Sequence, residues 1–191
     1  MRTLTQDTRQ RILDAAGRLF AVQRFHEVRM DDLAAEAEVA KGTLYRYFRD
    51  KEELYRDLIA GAATQILREV EERSAQADTA RAKIVAMLEA SWAFFEAQPY
   101  LSDLLQRVEA LNPSDAMAAW NEVRKHFAER IETLLADPSL AVAEPGYGAL
   151  MLLGSLRQLH RFGNRPLPAD IVERAVSAYL FGAATNRSGS V

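Results

Sequence analysis

The chain has 191 residues, 24 Lys+Arg against 27 Asp+Glu, no cysteine, and 49% hydrophobic content. That apolar fraction builds a packed core and excludes a disordered polar tail. The absence of cysteine excludes a disulfide framework, a thiolate metal site and a cysteine nucleophile. The net charge of −3 argues against a nonspecific polyanion binder but hides an asymmetry: residues 1–51 hold ten basic and eight acidic residues, the remainder 14 and 19.

Met1 to Gln10 is polar and charged, so no secretory segment is expected. Nearly everything after it reads as helix, since Ala, Leu, Glu and Arg dominate and no β-branched run alternates with period two. Ile12, Ala16, Leu19 and Phe20 stripe a first helix over residues 6–22. Met30, Leu33, Ala34 and Ala37 mark a short second helix, and Leu44 with Phe48 a short third one beginning near Lys41. Asp50 caps a long fourth helix with Glu52 and Glu53 in its first turn, striped by Leu54, Leu58, Ala62, Ile66 and Val70. It ends where the polar stretch Ser74–Thr79 begins.

Ile84, Leu88, Trp92 and Phe95 define a fifth helix that stops before Pro99. Leu101, Leu104, Leu105 and Val108 support a sixth, ended by Asn112-Pro113. A seventh runs from the Ser114-Asp115 cap through Trp120, Val123, Phe127, Ile131 and Leu134 to Pro138. Pro145 to Phe162 forms an eighth and Pro168 to Ala184 a ninth. The uncharged run between Glu144 and Arg157 is twelve residues, short of the ~20 a bilayer requires. A soluble, cytoplasmic, all-α chain of about nine helices with no membrane partner is expected.

The stretch Val39–Lys51 concentrates four cations and one anion with Tyr45, Tyr47 and Phe48. Two short helices joined by a tight turn, the second basic and aromatic, suit a helix-turn-helix. A reading helix must enter a major groove ~12 Å wide, which asks for small residues and donors on its leading face. Gly42 permits close approach, Lys41, Thr43, Tyr45 and Arg46 supply donors, and Leu44 and Phe48 anchor the helix inward. Tyr47 and Lys51 lie where phosphate oxygens run. A helical hairpin with a solvated basic face satisfies the same cues, which are degenerate.

Two segments carry a resemblance: Arg24-Phe25-His26-Glu27-Val28-Arg29-Met30-Asp31-Asp32-Leu33-Ala34, and the run from Val39 through Lys41-Gly42-Thr43-Leu44-Tyr45-Arg46-Tyr47-Phe48 to Lys51-Glu52-Glu53-Leu54. Together they resemble the tetracycline-repressor (TetR/AcrR) family, whose signature ends in Lys-Gly-x-Leu-Tyr-x-Tyr/His-Phe-x-x-Lys-Glu-x-Leu. Every fixed position of that pattern is present. The specific likeness covers residues 9–55; residues 56–191 share only the helical layout and length. The resemblance implies a homodimeric, ligand-responsive transcriptional regulator, usually a repressor. Its helix-turn-helix head would lie in residues 1–50, and its ligand-binding and dimerisation bundle in residues 51–191. It implies that Lys41, Gly42, Thr43, Tyr45 and Arg46 face the groove of double-stranded operator DNA, with Tyr47 and Lys51 on phosphate.

The chain departs from that pattern at three positions. Glu38 stands where the family usually has a turn glycine, so a non-Gly residue at positive φ is expected, at ~1–2 kcal/mol. Ala40 cannot cap the third helix through its side chain. Arg29, in place of a hydroxyl residue, offers a charge-assisted phosphate contact.

Seven of the sixteen aromatics fall between Met87 and Met151. Bundle core explains any one of them, and an apolar pocket between helices explains them together. The candidates for binding a small, largely apolar effector are Trp92, Phe95, Trp120 and Phe127, with Tyr100, Leu104 and Met151 behind them. Gln106, Asn121 and His126 could add polarity. The eighth helix is apolar around most of its circumference and the ninth has a broad apolar face. With the small residues Gly148, Gly154, Ala178 and Gly182 they suit a two-fold four-helix interface. Leu150, Leu153, Gly154, Arg157, Val172, Ala175, Val176 and Tyr179 are its candidate residues.

No chemistry is assigned. His26, His126 and His160 belong to different helices, and there is no phosphate-cradling loop or nucleophile elbow. Glu122, His126 and Glu129 share a helix face at i, i+4 and i+7, a spacing that solvent-exposed ion pairing explains better than a metal. No metal or cofactor is called for. The alternative to an operator-binding repressor is a ligand-binding α-bundle without operator binding.

Overall fold

A computed structural model describes residues 4–98, 100, 101, 105, 115–163 and 166–185, in which every regular element is helical. Helix α1 spans Leu4–Val22, α2 Met30–Glu36, α3 Lys41–Tyr47, α4 Lys51–Ser74 and α5 Ala80–Ala97. Helix α6 spans Asp115–Leu135, and a 3-10 turn covers Pro138–Leu140. Helices α7 and α8 follow at Pro145–Phe162 and Ile171–Thr185. These are eight α-helices among the described residues, where about nine were expected. The expected helix over Leu101–Val108 lies largely outside those residues, though Leu101 and Leu105 are buried.

Local chemistry sets the boundaries that matter. At α4 the Glu53 amide donates to Asp50 Oδ1 at 2.7 Å, and the Arg49 amide donates to Glu53 Oε2 at 2.7 Å. This reciprocal cap satisfies two amides that a helix start leaves unpaired. Helix α8 begins at Ile171 and not at Pro168. Pro168-Ala169-Asp170 makes a turn in which the Ile171 amide donates to the Pro168 carbonyl, and Asp170 then pairs with Arg174 at 2.8 Å, one turn on.

The chain forms two compact units, Met1–Gln65 with Phe95–Asn121, and Ile66–Phe94 with Glu122–Val191. In the first, Ile12, Ala16 and Phe20 of α1, Leu33 of α2, Leu44 of α3, and Phe48 are buried with Leu54, Tyr55 and Ile59 of α4. Phe20, Phe25 and Tyr55 meet as a cluster, Tyr55 edge-on to both rings. Tyr100 packs where a side chain on Gly17 would stand, 2.9 Å from that Cβ position, and its hydroxyl donates to Gln98 at 3.1 Å.

The second unit buries Ile66 and Val70 of α4, Ile84, Met87, Leu88 and Phe94 of α5, and Val123, Phe127 and Ile131 of α6. Leu152 and Leu156 of α7 and Val172 and Val176 of α8 complete it. A Cβ on Gly148 would stand 2.1 Å from the Tyr179 hydroxyl, so glycine there lets α7 and α8 close on each other. No described helix is long and apolar enough to cross a membrane.

Candidate nucleic-acid interface

The head is built around the turn from α2 to α3. The Glu38 amide donates to Ala35 and the Val39 amide to Ala34, each at 3.0 Å, which reverses the chain within four residues. Glu38 sits at φ 53°, the left-handed conformation expected from its place in the turn. Arg11 of α1 holds that conformation: its guanidinium donates to the carbonyls of Ala37 at 2.8 Å and Glu38 at 3.3 Å, and lies 3.8 Å from the Glu38 carboxylate. Ala40 precedes α3 with no side-chain cap, also as expected.

Leu44 and Phe48 are fully buried and fix which way α3 faces. Opposite them, Lys41, Gly42, Tyr45 and Arg46 are exposed, and Thr43 and Tyr47 partly so. Among the described residues a Cβ on Gly42 would meet nothing within 4 Å, which leaves this side of the helix open to an approaching surface. The Arg46 guanidinium lies 5.6 Å from the Tyr47 ring centroid, a cation–aromatic contact that pre-orders both side chains. Lys41 pairs with Asp31 of α2 at 2.6 Å. That hydrogen bond holds the Asp31 carboxyl below its ordinary value and raises the Lys41 ammonium above its own. Lys41 is therefore charged but shared, and a phosphate would have to compete with a carboxylate for it.

Lys51 departs from its expected place on phosphate. Its ammonium donates to the Phe25 carbonyl and, at 2.9 Å, to the Val28 carbonyl, and sits 4.5 Å from the Phe25 ring centroid. It staples the α1–α2 connection to the start of α4, because those carbonyls are half-buried and need donors. Arg29 is exposed at the start of α2, where its amide donates to Asp32 at 3.2 Å.

The effector candidates fall in both units. In the first, Phe95 and Trp120 meet edge-to-face at 5.8 Å, with Trp120 buried and Tyr100 placed against Gly17 as described. In the second, Trp92 stands edge-on to His160 at 5.2 Å, and Phe127 is buried. Met151 is 64% exposed on α7, which removes it from any pocket inside one chain. Leu104 and Gln106 lie outside the described residues. Asn121 is exposed. His126 lies 4.0 Å from Glu71 and Glu129 4.0 Å from Lys125, ion-pair positions on solvated surface.

The dimer candidates also divide. Val172 and Val176 are buried in the chain's own core and cannot touch a second copy. Leu150, Gly154 and Arg157 are exposed, and Leu153, Ala175 and Tyr179 partly so. Tyr147, Phe162 and Phe181 are also exposed, by 70%, 66% and 76%, and are absent from the sequence-based set. Arg11 and Asp31 were missed at the head. Their contacts span 26 and ten residues of chain, and no spacing rule within one helix reports a partner on another.

A short turn between two helices, the second anchored by two buried residues and presenting exposed cations and tyrosines, defines a helix-turn-helix head. Residues 12–58 match the family described as bacterial regulatory proteins, tetR family. The chain is similar to the fatty acid metabolism regulator protein of Bacillus subtilis strain 168, 24% identical over 126 residues, 66% of this chain and 65% of that protein. The match thus spans just under two thirds of that relative's length. The fold is that of the fatty acid degradation regulator FadR from Bacillus halodurans, with TM-score 0.76 at 19% identity over 95% of this chain and 97% of that one. It is also that of AibR, solved in complex with isovaleryl coenzyme A and operator DNA, with TM-score 0.72 at 16% identity over 91% and 96%. Residues 12–58 thus carry the helix-turn-helix head of the tetR family of bacterial regulatory proteins.

Proposed function

We propose that the protein is a ligand-responsive transcriptional regulator, a repressor that binds a palindromic operator as a homodimer and leaves it when a small, largely apolar effector binds. The observation that carries this reading is α3 itself. Leu44 and Phe48 lock its inner side, while Lys41, Gly42, Tyr45 and Arg46 stand exposed on the other. In this reading Thr43, Tyr45 and Arg46 reach base edges, and Tyr47 and Arg29 reach phosphate. Residues 1–50 act as the reading head and 51–191 as the effector and dimer half. No reaction is assigned to any residue.

The aromatic pair Phe95–Trp120 in the first unit and the Trp92–His160 pair in the second each support an apolar effector. Acyl-coenzyme A thioesters are the first class to try, because AibR was solved with one. Linkage requires only that the effector prefer the conformation that does not fit the operator. The charge distribution supports a focused DNA contact: four cations crowd Val39–Lys51 in a chain of net −3.

One observation favours a second reading, a ligand-binding bundle without operator binding: Asp31 and Glu38 set two carboxylates beside the reading helix. Selection of bound duplexes from random DNA decides between them. An enriched palindrome whose binding is lost in Arg46→Ala supports the repressor. Thermal stabilisation by an acyl thioester with no enriched sequence favours the bundle.

A further inference from the structure

The outward side of α7 carries an unpartnered stripe: Tyr147, Leu150, Met151, Gly154, Gln158 and Arg161 are all exposed and recur at i, i+3, i+4, i+7, i+11 and i+14. Its two ends differ in charge. At the N-terminal end an open groove of about 430 Å³ is lined by Glu132, Glu144, Tyr147 and Leu150. The Glu132 carboxylate packs against Gly146 in the first turn, and among the described residues neither glutamate meets a cation. At the C-terminal end stands Arg161, its guanidinium 4.7 Å from the ring of the adjacent Phe162. Gly154 lies midway, and among the described residues a Cβ there would meet nothing within 4 Å, so they give no packing reason for a glycine.

We propose that a second copy of the chain lays its α7 antiparallel across this stripe, crossing at Gly154, and that the partner's Arg161 enters the groove between Glu132 and Glu144. This rests on the homodimer reading above and fixes its register. Tyr147 and Arg161 each lie seven residues from Gly154, about 10 Å along the helix. A two-fold axis through Gly154 therefore sets each Arg161 against the other copy's Tyr147 and its flanking carboxylates. Symmetry makes the contact twice. A parallel crossing would instead oppose acid to acid and guanidinium to guanidinium, so charge selects the antiparallel one.

The test uses the full chain. Sedimentation of the wild-type protein first establishes whether it is a dimer at micromolar concentration. Arg161→Glu and Glu144→Arg are each expected to weaken dimerisation at least tenfold, and the double variant, with the charges exchanged, to restore it. Circular dichroism melts confirm that each variant is folded. Because the chain has no cysteine, Gly154→Cys reports the crossing point directly. Oxidation should cross-link it to a dimer, since a disulfide needs Cα atoms within about 7 Å, whereas the control Ser139→Cys should not. A monomeric wild type overturns both this proposal and the homodimer reading. A dimer that is indifferent to both charge reversals, or one that Gly154→Cys fails to cross-link, overturns the register alone.

Discussion

Glu38 holds φ 53° in the turn that sets the angle between α2 and α3, and Arg11 secures it by donating to two successive carbonyls. Both are backbone acceptors, so they persist whatever side chain stands at 38. Glu38→Gly is therefore expected to raise stability by about 1 kcal/mol, the relief of left-handed strain less the added freedom of the unfolded glycine; denaturant midpoints measure it. Removing the anion should also strengthen operator binding. The strained position was legible through the family resemblance, because Glu38 stands where that family usually has a turn glycine. The role of Lys51 was not: it looked like a phosphate ligand, and its partners Phe25 and Val28 are carbonyls more than twenty residues away. Lys51→Met should cost about 1–2 kcal/mol in stability by leaving half-buried carbonyls without a donor, yet leave the salt dependence of DNA binding nearly unchanged. Lys41→Ala should spare stability and, by removing a phosphate-competent cation, lower the salt slope by about one.

Among the elements, α4 starts with a titratable cap. Asp50 accepts from the Glu53 amide, which is the main reason its carboxyl sits below the ordinary value of 3.8; the neighbouring Arg49 guanidinium adds to the effect. A folded-state value below the unfolded one means the cap's contribution is fully present above about pH 4 and is lost as pH falls through that range. Asp50→Asn keeps an amide acceptor without the charge. Urea midpoints between pH 3 and 6 should thus fall more steeply for the wild type than for the variant, the two curves converging at the acid end. Helix starts with such caps were readable from sequence, as was the stop of α5 before Pro99. The start of α8 was not, because Pro168 suits a first helical position and a preceding turn equally well. Interface and core were also confused on that helix. Val176 and Phe181 are both apolar, and only packing shows that the first is buried and the second open.

For the whole molecule, the informative quantity is where charge sits. The head carries a small basic excess and the rest of the chain an acidic one, which keeps nonspecific attraction to DNA weak while leaving α3 cationic. In the proposed dimer, a head with few free cations reads weakly alone, and affinity and specificity come from two heads engaging two half-sites together. The family and the all-helical architecture followed from motif and periodicity; the effector's identity did not, since apolar stripes look alike whether they pack or bind. The cooperation of two heads is tested most directly by titrating the selected palindromic duplex against the same duplex with five base pairs inserted between its half-sites. Two heads spaced for one helical turn, about 34–36 Å, should bind the native spacing tightly and lose at least a hundredfold on insertion, because the half-sites then face opposite sides of the DNA. Equal affinity for both duplexes would contradict the account.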